Sequence, residues 1–294
     1  MSNIRQTLQT VMILLALVPA TAVSGESSTT FARVSTNEHD EPMALQLAIS
    51  TYVPKYGTER LSVDLVSAIH IGDLSYYADL NERFRQYDAV LYELVAPEDA
   101  VTTNRLAKRK GFISSTQIGM TKLLGLSFQL DEIDYDQVNF VHADLSPAEL
   151  RQSMDDRGES LYVYFWRIFF ASLDEYAKDP LGLRDWEMLS AILTSDQDDA
   201  FKTMIAYEMT NLDLARDILG EDSGSAVIGA RNQRAVDVLQ REIEAGAKRI
   251  GIFYGVAHMP DLEERLLNQL ELRYDKTTWV DAWQLGSEVT NTAR

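Results

Sequence analysis

The chain has 294 residues, with 45 acidic side chains against 27 basic ones and no cysteine. A formal charge of −18 argues against a nucleic-acid or anionic-membrane partner, since both would repel it. The missing thiols exclude disulfides, a cysteine nucleophile and thiolate metal sites, so stability has to come from core burial and any metal has to be held by His, Asp or Glu.

The first residues carry Arg5, an apolar core from Val11 to Val18, and then Pro19-Ala20-Thr21-Ala22. This is the layout of a secretory signal peptide with a small-x-small cleavage site, too short for a membrane span. Residues 1–22 are therefore expected to be removed, leaving an exported protein, periplasmic or extracellular, with no membrane span. Residues 23–42 lack periodicity and read as a flexible leader. Residues 43–286 read as a single α/β domain, and 287–294 as a tail.

Ala44 to Val53 alternates as a strand does, and Pro54 with Gly57 marks the turn after it. Leu61 to Ile69 is a continuous apolar run ending in His70, the pattern of a strand buried on both faces. An amphipathic helix is expected from Asp73 or Ser75 to about Gln86, with Tyr77, Leu80 and Phe84 on one face. A further strand closes on Glu93. The basic patch Arg105 to Lys110 reads as a solvated helix face. Gln137 to Ala143 is a short strand leading into His142 and Asp144. Ser146-Pro147-Ala148-Glu149 is a helix start of capping-box form. From there to about 245 the pattern is helical, an insertion that includes the aromatic run 161–170 and a helix beginning near Arg231-Asn232.

The layout near His70 recurs near the other end. Ile250 to Val256 lead into His258, then Met259-Pro260-Asp261-Leu262, a helical segment and a strand containing Trp279, Val280 and Asp281. Both halves read strand, x-x-His, Asp-Leu, helix, strand, with Tyr87-Asp88 and Tyr274-Asp275 as a further echo. Strand-helix-strand units imply parallel pairing. The expected fold is thus α/β, with a mixed, largely parallel sheet built from two related halves and a large helical insertion, about 146–245, between them. Sites in such sheets gather beyond the carboxyl ends of the strands, where His70, Glu93 and His258 all fall. Asp73 and Asp261 read as helix caps rather than ligands.

Two histidines and a carboxylate leave open coordination positions for a divalent ion such as manganese, cobalt, iron or zinc, which would activate water for hydrolysis. His142 and Asp144 form a second tier. There is no Gly-x-Ser-x-Gly elbow, Walker loop, Gly-x-Gly-x-x-Gly or His-Glu-x-x-His, so the serine-hydrolase, nucleotide and zincin readings lose support.

Gly255-Val256-Ala257-His258, Tyr92-Glu93-Leu94, Arg231-Asn232 and Asn139 to Asp144 together resemble the TraB/GumN/TIKI-like family, which is similar in turn to erythromycin esterases and ChaN-like haem-binding lipoproteins. Ser67-Ala68-Ile69-His70 departs from the family's Gly-x-x-His form at its first position, so the first loop is expected to differ in shape. The resemblance spans about Ala44 to Trp283. It implies a catalytic or metal centre around His70, Glu93 and His258, with Arg231 as an oxyanion partner and Asn232 as an orienting hydrogen-bonder. The expected function is a metal-dependent hydrolase acting on a peptide or small molecule. The alternatives are a non-catalytic binder of haem or another hydrophobic ligand, or a scaffold for a protein partner.

Overall fold

The computed structural model describes residues 30–57, 60–96, 126–157, 197–210 and 225–285. The expected signal peptide, the basic patch, the aromatic run 161–170 and the tail lie outside the described residues. The described residues from Phe31 onward belong to one compact unit.

A seven-stranded mixed sheet organises that unit. Strands β1 (Ala32–Thr36), β2 (Pro42–Pro54), β3 (Ser62–Ala68), β5 (Ala89–Tyr92), β7 (Phe140–His142), β8 (Arg249–Gly255) and β9 (Leu272–Gln284) compose it, while β4 (Ile71–Gly72) and β6 (Ser127–Phe128) make a separate two-stranded ribbon. The centre is parallel, in the order β3, β8, β5, β7. Antiparallel pairing flanks it: β9 runs along one edge of β2, and β1 and β3 divide the other.

The two halves anticipated from sequence are both present. The first is β3, α1 (Leu74–Phe84) and β5, and the second is β8, α6 (Met259–Gln269) and β9. Their crossovers run in opposite lateral directions, β3 over β8 to β5 and β8 back over β3 to β9. With one crossover hand, helices that travel in opposite directions end on opposite faces of a sheet. The core divides accordingly. Tyr76, Tyr77, Leu80 and Phe84 of α1 pack with Val66, Val90 and Phe253 on one face. Leu262 and Leu266 of α6 pack with Leu65, Leu91, Ile250 and Ile252 on the other.

The described parts of 146–245 are helical. They are α3 (Pro147–Asp156), α4 (Gln197–Thr210), a π-turn at Ala226–Ala230 and α5 (Arg231–Glu244); a short α2 (Gln129–Glu132) precedes them. Ser146 caps α3 through the reciprocal bonds of a capping box. Helix α5 is no appendage: Ala235, Val236 and Leu239 pack into the same core face as α6.

Three expectations need correction. The leader was read as flexible to residue 42, yet Ala32 to Thr36 form β1, with Phe31 and Ala32 buried. A five-residue edge strand gets its order from the β2 ladder rather than from any pattern of its own. Asp73 and Asp261 make no cap bonds with their side chains. Asp73 accepts from Lys202 Nζ at 3.2 Å and the Gln284 amide at 2.6 Å, tying α1 to α4 and β9. The Tyr-Asp echo also breaks down, because Tyr87 is buried before β5 whereas Tyr274 lies inside β9 and is exposed.

Candidate functional site

Each of the four parallel strands delivers one ionisable residue beyond its carboxyl end: His70 two residues after β3, His258 three after β8, Glu93 one after β5 and Asp144 two after β7. Arg231 and Asn232 enter from the first turn of α5. The Ser225 hydroxyl accepts from the Ile228 amide at 3.1 Å and caps the segment, and the Ala230 amide donates to the Ser225 carbonyl at 3.0 Å across a π-turn. That widened turn sits directly before the two side chains that face the strand ends, a common place for a π-bulge.

Arg231 is the hub. Its Nε and Nη2 donate to the two oxygens of Asp144 at 2.9 and 2.6 Å, a bidentate fork. Nη2 also donates to Glu93 Oε1 at 2.6 Å, and Nη1 stands 3.5 Å from His258 Nε2. The second oxygen of Glu93 accepts the Gly255 amide at 2.7 Å. Arg231 is 9% exposed and Asp144 1%, so one buried guanidinium holds two carboxylates in place.

The tautomer of His258 follows from its neighbours. Asn232 Nδ2 donates to Asp261 Oδ2 at 2.7 Å and to the His258 carbonyl at 3.1 Å. Both partners are acceptors, so the amide nitrogen faces them and Oδ1 faces His258 Nδ1, 2.6 Å away. Nδ1 therefore carries the proton, and the lone pair is on Nε2. Nε2 points between Arg231 Nη1 and Glu93 Oε1, the latter 3.6 Å away.

Burial, the largest influence, drives His258 below its ordinary pKa; Glu93 opposes this and Arg231 reinforces it. Burial by itself pushes the Glu93 carboxyl up, but His258, Arg231, the Gly255 amide and His70 outweigh it and hold Glu93 down to about 2. Since His258 is itself driven neutral, Arg231 and the Gly255 amide are the partners that keep Glu93 ionised at neutral pH. The Arg231 guanidinium is held above its usual range: burial opposes this, and hydrogen bonding to Asp144 followed by the charges of Glu93 and Asp144 prevails.

The residues expected from sequence are thus brought together unequally. Glu93, Arg231, Asn232 and His258 form one bonded network, and Asp144 of the second tier joins its centre. His70 is exposed at the rim, where its carbonyl accepts the Gln129 amide at 2.9 Å and its charge reaches Glu93. His142 faces away; its Nε2 lies 2.7 Å from the Leu94 carbonyl, to which it donates. Gly255, three residues before His258, admits a close neighbour as a small residue there would. Its backbone is ordinary, with φ −54°, and what it permits is close approach: a Cβ there would lie 3.3 Å from Glu93 Oε2. Asp261 is the contributor that sequence reading missed. Its spacing to Arg265 on α6 was the available signal, and Arg265 Nε donates to Asp261 Oδ2 at 2.6 Å.

Both Glu93 oxygens and both Asp144 oxygens already accept from Arg231 or Gly255, and the guanidinium supplies the positive charge. No group of three or more His, Asp or Glu side chains among the described residues is placed to hold a metal. Among those residues, too, no helix is long and apolar enough to cross a membrane. Neither a family model, nor a curated protein, nor a solved structure matches the chain.

Proposed function

We propose that the Glu93, Arg231 and His258 network is a hydrolase site in an exported protein, cleaving an ester or peptide bond of a small substrate. The observation that carries this reading is the unprotonated Nε2 of a buried, neutral His258, 3.5 Å from Arg231 Nη1, whose other nitrogen is locked to Asn232. A neutral imidazole takes a proton from water as the water oxygen attacks the carbonyl carbon. The imidazolium so formed faces Glu93 Oε1 at 3.6 Å. The negative charge that develops on the carbonyl oxygen is met by Arg231, whose Nη1 edge borders the same space. Collapse expels the amine or alkoxide, which recovers the proton from His258. The resemblance to TraB/GumN-like proteins supports the same residues, and the leading segment 1–22 supports export.

The metal-dependent form of this proposal has His70, Glu93 and His258 as ligands, and no step above passes through a metal. Assaying the purified chain on p-nitrophenyl esters and fluorogenic dipeptides, before and after chelation, separates the two forms. Turnover that survives chelation and is abolished in His258→Ala supports the histidine base. Turnover that vanishes on chelation and returns with manganese, cobalt or zinc supports the metal. No turnover together with a Soret band on haem titration overturns the hydrolase reading in favour of ligand binding.

A further inference from the structure

A second built site lies on the α1 face of the sheet, toward the amino ends of the parallel strands and so away from the Glu93 and His258 network. It is a cavity of about 560 Å³ between β2, β3, β9, the start of β8 and the last turns of α1. The pairing register sets its floor. Lys276 of β9 pairs with Thr51 of β2, Thr51 with Asp64 of β3, and Asp64 with Gly251 of β8, one row across four strands. Paired residues of adjacent strands project to the same face, and residues two apart along a strand do so as well. Arg249, two residues before Gly251, therefore stands on the face that carries Asp64 and Lys276, and all three line the cavity.

Asp64 is the anomaly of this row. An aspartate in the middle of a central strand works against strand propensity, and this one is 6% exposed. One oxygen accepts the Tyr87 hydroxyl at 2.7 Å, while Oδ1 is buried without any hydrogen-bond partner. An unmet buried carboxylate oxygen costs more than a neutral group would. Gly251 helps to build the arrangement: a Cβ there would meet the Tyr87 ring at 3.4 Å, so the glycine lets the tyrosine lie across the strand and reach Asp64. The acids at the rim are occupied otherwise, Asp79 with Arg83, Glu82 with Arg85 and Asp275 with Arg273. Asp64 has only a phenol, and burial followed by the charge of Asp64 keeps that phenol protonated.

We propose that this cavity binds a small zwitterion of the α-amino-acid type, its ammonium satisfying Asp64 and its carboxylate facing Arg249 and Lys276. A cavity that holds a buried carboxylate without a salt-bridge partner, with Arg249 and Lys276 lining the same face, matches a ligand carrying both signs a few bonds apart. A plain amine would leave Lys276 unmet and Arg249 with only the Gln86 side-chain oxygen at 3.3 Å and the face of Tyr87, and a plain carboxylate would meet Asp64 with like charge.

The test is isothermal titration and ¹H–¹⁵N spectra of the full chain with neutral L-α-amino acids. Each is compared with its decarboxylated amine and its deaminated acid. At least one amino acid is expected to bind and to shift the amides of Thr51, Asp64 and Lys276, with both truncated analogues at least tenfold weaker. Lys276 is exposed, so Lys276→Ala should fold normally and weaken binding about tenfold, the scale of one charge-assisted hydrogen bond. Asp64→Asn should abolish binding. An amine that binds as tightly as its parent amino acid, an unaltered affinity in Lys276→Ala, or no shifts with any amino acid overturns the proposal, the last leaving Asp64 Oδ1 to an ordered water.

Discussion

The side-chain oxygen of Asn232 lies 2.6 Å from His258 Nδ1 and so decides which nitrogen of that imidazole carries the proton. Asp261, accepting from the amide nitrogen at 2.7 Å, keeps Asn232 from turning over. In ¹⁵N spectra of the imidazole, His258 should appear near neutral pH as the Nδ1–H tautomer. Asp261→Ala should shift it toward a mixture while the fold persists, and Asn232→Ala should cost about 1 to 3 kcal/mol by stranding buried partners. A wild-type His258 protonated on Nε2 would falsify the assignment.

Arg231 neutralises two buried carboxylates, so its removal acts on the fold as well as on chemistry. Arg231→Ala should lose about 3 to 5 kcal/mol in urea unfolding, because Asp144 and Glu93 are left buried and unpaired. Adding Asp144→Ala should recover part of that loss, making the pair strongly non-additive. Arg231→Lys supplies a point charge where a fork is needed and should impair both stability and turnover. Simple additivity of the two alanine variants would show that the fork contributes nothing.

Acid should weaken the fold in two stages. His258 has a folded pKa below its unfolded value, so the stability it contributes is complete above about 6.5 and is lost as pH falls below that value. Glu93 is likewise depressed, to about 2, so its contribution is complete above about 4.5 and is lost between there and about 2. The Glu93 part is worth roughly 3 kcal/mol. Melting temperatures measured from pH 8 to 3 should fall across both windows. Glu93→Gln should shrink the lower one while keeping the upper, the remainder belonging to depressed carboxylates such as Glu149.

Gly255 is held small by Glu93. In Gly255→Ala the new methyl meets Glu93 Oε2 at 3.3 Å and competes with the 2.7 Å bond from the Gly255 amide. Turnover should fall about tenfold or more, and stability by about 1 to 3 kcal/mol. The control is Gly57→Ala at a turn with nothing within 4 Å but a φ of +94°, which should cost stability alone. Unchanged turnover in Gly255→Ala would mean that Glu93 does not need its present position.

The sequence by itself determined the parallel strands, the helices between them and the places where the strands end, because apolar runs, caps and periodicity are local signals read along the chain. Those signals sufficed to put His70, Glu93 and His258 at one edge of the sheet. Only the tertiary structure decided what those residues do there. Whether a histidine at a strand end joins a network depends on what stands across from it: His258 meets Asn232 from a helix 26 positions away, whereas His142 meets only the Leu94 carbonyl. Asp144 stood only in the second tier until α5 carried Arg231 onto it across 87 positions. The row from Lys276 to Gly251 was equally hidden. Strand register is fixed by pairing over more than 200 residues, and no local pattern placed a lysine of the last strand in one row with an aspartate of the third, across Thr51.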